Sequence, residues 1–212
     1  YYRELCSLTQ ASMGGLHPPE LLIRSLDFAV IEALQAEDRW EEAGERLNQE
    51  ALALERGGAE ILSLATNTMH KVAKTMMRGV SVPLVHIAEA TASRISSLQR
   101  SRPGLMATRF TMEQPFYIER LQDRGLTPVI PFADDRDTIH RVIYDELCQG
   151  VITPESEAEY VAIADRLVDQ GADCLILGCT EVGLLLNASN VSVPVFDTTL
   201  IHCEALLAAA IT

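Results

Sequence analysis

Two stretches of this chain repeat each other. Gly58-Ala59-Glu60-Ile61-Leu62-Ser63-Leu64-Ala65-Thr66-Asn67-Thr68 aligns without a gap on Gly171-Ala172-Asp173-Cys174-Leu175-Ile176-Leu177-Gly178-Cys179-Thr180-Glu181. A second match follows each copy: Pro83-Leu84-Val85-His86 after the first and Pro194-Val195-Phe196-Asp197 after the second. Each copy reads as a helix closed by Gly-Ala, a buried strand and a small polar turn. Gly-Ala before an apolar strand is common enough to arise by chance, but the ungapped length weighs against coincidence. The repeat therefore predicts two similar lobes in a pseudo-twofold relation, with Thr66 and Cys179 at equivalent strand ends facing each other across a cleft.

The rest of the chain alternates in the same way. Short runs rich in Leu, Ile and Val occur at 21–26, 61–64, 82–85, 104–107, 127–130, 174–177 and 194–196, and read as buried parallel strands. Helical spacing fills 40–56, 87–98, 113–124, 137–149, 155–170 and 200–211. Strand and helix in alternation predict an α/β protein of two Rossmann-like, doubly wound lobes with parallel sheets. The ligand edge is then the carboxyl end of the strands. The expected division is residues 1–90 with 196–212 for the first lobe and 91–195 for the second.

Composition limits the partners. With 30 acidic against 17 basic residues, the formal charge of −13 repels phosphate backbones, and no local basic patch offsets it, so no nucleic-acid partner is expected. No apolar run reaches the roughly 18 residues that a bilayer demands, so no membrane partner is expected either. The odd set Cys6, Cys148, Cys174, Cys179 and Cys203 has neither disulfide nor metal-ligand spacing, which points to a reducing, cytoplasmic setting without a metal. The opening Tyr1-Tyr2-Arg3-Glu4-Leu5-Cys6 has no charged-then-apolar leader and already looks helical, which suggests a preceding segment.

The reactive candidate is Cys179. After Gly178 at a strand end, beside backbone N–H groups and a helix start, its thiol is expected to fall below the ordinary value of about 8.5, which favours the thiolate. The bland alternative is a small buried hydrophobe, the reading that suits Cys174 within the strand. Asn67, Thr68, Thr108, Thr111 and Thr180 lie on strand-end turns, where hydroxyls, amides and N–H groups suit a small polar ligand; a loop threonine is otherwise a turn or cap residue. Arg24 and Lys71 are the candidate cations for an anionic ligand. His70 and His202 follow the two turns as tuning or purely structural residues, and Asp197 is a candidate cap for the last helix.

The segments Thr66-Asn67-Thr68-Met69-His70-Lys71, Ala107-Thr108-Arg109-Phe110-Thr111-Met112-Glu113-Gln114, Ile143-Tyr144-Asp145-Glu146-Leu147, Gly178-Cys179-Thr180-Glu181 and Phe196-Asp197-Thr198-Thr199 span nearly the whole chain. In these residues it resembles the aspartate/glutamate racemase family of amino-acid racemases. Glu181 after Cys179-Thr180 resembles the aspartate racemase side, since glutamate racemases usually carry His there. The wording of the first two segments is most similar to the branch of broad or L-Asp/L-Glu specificity.

The resemblance implies two-base chemistry without cofactor: one group removes the α-proton of a bound amino acid while another reprotonates the opposite face. It implies Cys179 and Thr66 as the catalytic pair, Asn67, Thr68, Thr108, Thr111, Thr180, Glu181, Arg24 and Lys71 as substrate-binding residues, and a homodimer. Two departures stand out. Thr66 occupies a position where most of the family has cysteine, and Cys148 stands where some aspartate racemases use lysine. A further departure concerns a first strand with a glycine-rich turn, which the family places ahead of the Tyr1-Tyr2 helix. The competing readings are single-cysteine decarboxylase or isomerase chemistry in the same superfamily, and a catalytically silent amino-acid-binding module.

Overall fold

The structure is a computed structural model and describes residues 1–211. By contact clustering it divides into two compact units, the first comprising Tyr1–Leu64, Met69–His86 and the segment from Cys203 onward, the second Ala65–Thr68 and Ile87–His202.

In chain order the first stretch contains helices α1 (Tyr2–Met13), α2 (Phe28–Ala36) and α3 (Trp40–Arg56), strand β1 (Leu62–Ser63), a 3-10 turn at Thr68–Val72, the short helix α4 (Ala73–Met76) and strand β2 (Leu84–Val85). β1 and β2 pair in parallel. Ile31, Leu34, Trp40, Ala43, Leu47, Ala51, Leu62, Val72 and Met76 are its buried apolar residues.

The second stretch runs α5 (Ile87–Ser97), β3 (Pro103–Ala107), α6 (Arg109–Glu113), α7 (Pro115–Gln122), α8 (Ala133–Asp145), a 3-10 turn at Leu147–Gln149, α9 (Pro154–Asp169), β4 (Cys174–Gly178), a 3-10 turn at Val182–Leu184, β5 (Val195–Asp197) and α10 (Thr198–Ala210). Its sheet is parallel in the order β3-β4-β5, and every residue of β3 and β4 is buried. α/β architecture with parallel sheets is as the alternation of patterns requires. Local chemistry starts the helices: the Thr153 hydroxyl accepts the Ser156 N–H ahead of Pro154 at the first position of α9, and Asp197 accepts the N–H groups of Thr199 and Leu200, capping α10 as expected.

The repeat holds at the level of single hydrogen bonds. Leu62 pairs with Leu84 and Ser63 with Val85, and at the matched positions Leu175 pairs with Val195 and Ile176 with Phe196. The Leu62 N–H donates to the Pro83 carbonyl at 2.9 Å, and the Leu175 N–H to the Pro194 carbonyl at 2.9 Å. The preceding helices end alike. Ala59 N–H reaches Leu54 O and Gly58 N–H reaches Glu55 O, as Ala172 N–H reaches Leu167 O and Gly171 N–H reaches Val168 O. This is the paired closure that needs a left-handed residue after the helix, and Gly58 and Gly171 sit at φ 96° and 94°.

Two expectations are corrected. The run 21–26 is no strand: it follows Pro18-Pro19, which fix φ and remove two N–H donors, and Leu21, Leu22 and Ile23 are exposed without a ladder partner. The run 127–130 contributes only a bridge, through Val129 against Gly104. By contact, the segments 65–68 and 196–202 group with the second unit: β5 pairs with β4 and Thr68 bonds to Thr108. Sequence reasoning also omitted α2, whose Asp27 cap accepts the Ala29 N–H.

Replacing Gly58 or Gly171 with alanine forces a Cβ into the left-handed region, at roughly 1–2 kcal/mol each. Both variants are expected to melt lower by thermal unfolding, and Gly171→Ala by at least as much, since its Cβ would meet Arg102 Nη2 at 3.2 Å while that of Gly58 meets nothing within 4 Å. Unchanged melting in both would show that the shared helix end makes no conformational demand.

Candidate active site

The end of β4 is the organising point. Gly178 closes the strand with no room for a side chain: an added Cβ would lie 2.8 Å from the Ala107 Cβ of β3. The next residue, Cys179, is half-buried and packs against the main apolar core of the second unit. Its Sγ donates to Glu181 Oε2 at 2.9 Å, and the Thr180 hydroxyl donates to the same oxygen at 2.6 Å.

This environment reverses the expected acidity. Burial pushes the Cys179 thiol well above its ordinary range, and the charge of Glu181 together with the hydrogen bond it accepts pushes in the same direction. The expected lowering by a helix start does not operate, because only a three-residue 3-10 turn follows at Val182–Leu184. Cys179 therefore rests as a neutral thiol with a proton acceptor in contact. Glu181 and Thr180 are both expected on the substrate; here Glu181 accepts from the thiol and from the Thr180 hydroxyl.

A second chain of bonds ties the same strand end to Asn67. Asn67 Nδ2 donates to Thr198 Oγ1 at 3.0 Å, and Thr198 Oγ1 donates to the Leu177 carbonyl at 2.8 Å. Asn67 and Thr198 are both buried. With its amide nitrogen so committed, Asn67 presents Oδ1 as a buried acceptor that has no partner in the protein. A buried acceptor left open costs about 1–3 kcal/mol, which a cationic donor would recover. Thr198 was not assigned a site role from sequence; its place in Phe196-Asp197-Thr198-Thr199 was the available signal.

The Thr68, Thr108 and Thr111 side chains form a triangle of buried hydroxyls, with Oγ1 separations of 2.8 Å, 3.3 Å and 3.2 Å. Thr108 stands at the start of α6 and makes no side-chain cap bond, since its hydroxyl turns to the other two. Three hydroxyls carry three protons, and each can rotate its donor toward an anion. Thr66, two residues before Thr68 in the chain, is half-buried.

Both candidate cations lie in the first unit and have partners there. Arg24 is exposed and donates to Glu50 at 2.6 Å; the strand expected to carry it is absent. Lys71 lies 3.6 Å from the centroid of the Trp40 ring, a cation–π contact that gives Trp40 more than a packing role. His70 stacks at 4.3 Å on His86 in the first unit, and His202 is fully buried. Cys174 is enclosed within β4, where burial and Asp173 keep its thiol protonated. Cys148 is exposed, and its thiol is shifted upward by burial and by the Glu181 charge. Among the described residues no three His, Cys, Asp or Glu side chains are grouped to hold a metal ion, and no helix is long and apolar enough to cross a membrane.

The model of the Asp/Glu/hydantoin racemases matches residues 1–206. The chain belongs to that family. It is 43% identical to a Yersinia pestis protein provisionally named an Asp/Glu racemase, whose structure superposes with a TM-score of 0.92 over 100% of this chain and 93% of that one. An aspartate racemase homologue from Pyrococcus horikoshii is 33% identical, with a TM-score of 0.85 over 100% and 92%. The broad-specificity amino-acid racemase RacX of Bacillus subtilis is 22% identical over 156 residues, 70% of this chain and 64% of RacX, so the match spans less than two thirds of that relative.

The charge of Glu181 adds to burial in keeping the thiol protonated, and Glu181→Gln removes that charge. Iodoacetamide alkylation of Cys179, followed against pH by peptide mass spectrometry, is expected to begin at lower pH in this variant than in the parent. A pH profile unmoved or moved upward would show that Glu181 does not govern the thiol.

Proposed function

We propose that the chain is a cofactor-independent amino-acid racemase in which Cys179, coupled to Glu181, exchanges the α-proton on one face and Thr66 serves the other. The observation that carries the reading is the contact between the thiol and the carboxylate at the end of β4. A neutral thiol cannot abstract a proton, but one whose proton has a carboxylate to go to can. Sγ passes its proton to Glu181 as the α-carbon of the substrate passes its own to Sγ, leaving a carbanion conjugated with the substrate carboxylate. In reverse, the thiol donates and Glu181 returns the proton to sulfur.

Asn67 Oδ1 is the acceptor suited to the α-ammonium, and the Thr68, Thr108 and Thr111 hydroxyls suit the α-carboxylate, whose charge grows as the carbanion forms. Thr66 cannot rest as an alkoxide, so on its face a proton arrives through the hydroxyl from water. Exchange at the Cys179 face then outpaces inversion. Inversion still runs equally in both directions at equilibrium, as microscopic reversibility demands. Aspartate and glutamate are candidate substrates, and the engagement of Arg24 with Glu50 and of Lys71 with Trp40 supports a broader set that includes neutral side chains.

The same reading includes a homodimer in the cytoplasm. Leu16, Leu22, Ile23, Phe28 and Val30 are exposed apolar residues close together in sequence, which supports burial against a second copy. Light scattering on the purified chain measures that mass directly.

L-Asp, L-Glu and L-Ala incubated in heavy water are expected to lose the α-proton signal faster than they lose optical purity. Cys179→Ser should slow deuteration by about 10²-fold or more. Thr66→Cys should raise inversion relative to exchange, and Thr66→Ala should lower it. If no amino acid exchanges yet calorimetry shows binding, the chain is a binding module; exchange unaffected by Cys179→Ser would remove the thiol from the mechanism.

A further inference from the structure

The threonine triangle depends on a short helix that does not cap itself. α6 spans only Arg109–Glu113, and its cap residue Thr108 has turned its hydroxyl toward Thr68 and Thr111. Its carbonyl accepts the N–H groups of Thr111 and Met112 at 3.0 Å each, but the first N–H of the helix, that of Arg109, has no intrahelical acceptor. His140, from α8, supplies one: Nδ1 accepts the Arg109 N–H at 3.2 Å.

The imidazole is held for this task. It packs on the Tyr144 ring at 4.6 Å between centroids, and the Phe110 ring meets it edge-on at 5.7 Å. Arg109 is itself tied to Asp137 at 2.8 Å, one turn before His140 on α8. Acceptance at Nδ1 puts the ring proton on Nε2. A protonated ring would set an N–H against an N–H, with no acceptor left at the helix start.

We propose that His140 is a positioning residue: its neutral ring holds the turn that carries Thr108 and Thr111, and its protonation releases that turn. This rests on the reading above that those hydroxyls bind the substrate carboxylate. The groups facing the ring are Arg109 and Glu113 on α6 and Asp137 and Asp145 on α8. Burial and the Arg109 charge shift its titration downward, against the opposing pull of the three carboxylates. The neutral form thus persists below the ordinary imidazole value of about 6.5, and the site loosens only at more acidic pH. The same shift makes the unfolded chain the stronger proton binder between the two values, so this residue's contribution to stability falls as pH drops through that window.

Amide spectra of the full chain, recorded without substrate from neutral to acidic pH, separate this proposal from the racemase reading. The Arg109 N–H signal is expected to move with the His140 ring, in one transition centred below about 6.5. His140→Gln keeps an acceptor that does not titrate, so its Arg109 signal should stay near the neutral position throughout. His140→Phe removes the acceptor and should show the acidic position at every pH. For any amino acid that is turned over, KM of the parent should rise roughly fivefold across the same transition, the scale of one neutral hydrogen bond, and that rise should vanish in His140→Gln. An Arg109 signal that ignores the ring, or a His140→Gln variant that still shows the transition in its amide or its KM, overturns the proposal. A chain that turns over no amino acid leaves the amide test intact.

Discussion

Strand β4 is hydrogen-bonded on both edges, to β3 over five residue pairs and to β5 over three. A strand held this way cannot shift its end without breaking ladder bonds in a dry core, where an unpaired backbone group costs more than it would in water. Both of its faces are covered, so its end is a rigid platform rather than a loop. Cys179 takes its position from that platform. Asn67, through Thr198, is bonded to the carbonyl of Leu177, two residues before the thiol.

What the platform presents is a thiol that is not acidic. In many reactive cysteines a neighbouring positive charge stabilises the thiolate; here burial disfavours it, and a carboxylate in contact with the sulfur adds to the effect. In the mechanism proposed above the pair is a relay: the carboxylate that helps suppress ionisation at rest is also the group that takes the proton when a substrate offers another. This suits a reaction in which the same sulfur gives and receives one proton. A permanently ionised thiolate would be a better base and a worse acid, and racemisation needs both in equal measure.

Much of this was legible in the order of residues. The repeat of Gly58-Ala59 in Gly171-Ala172 carried the helix closure and the strand after it, since each is a short-range consequence of a few adjacent residues, whereas the left-handed φ of the two glycines and the shared register came from the structure. Asp197 was readable as a cap for the same reason. The run 21–26 was misread because an apolar stretch is a strand only when another strand pairs with it, and nothing local to Leu22 or Ile23 reveals a missing partner. The partners of Arg24 and Lys71 were hidden in the same way, since nothing local to either residue announces the contact with Glu50 or with the Trp40 ring.

By itself the sequence determined the α/β alternation, the duplicated strand-turn unit and the short polar segments that bear the reactive groups, because periodicity and turn chemistry act within a few residues. Only the tertiary structure decided the protonation state of Cys179, the open acceptor on Asn67, the closing of three threonines into one cluster and the imidazole beneath α6. Those properties depend on which groups are brought within about 3 Å of one another out of water, where hydrogen bonds and charges act most strongly, and groups such as Asn67 and Thr198 are 131 residues apart along the chain.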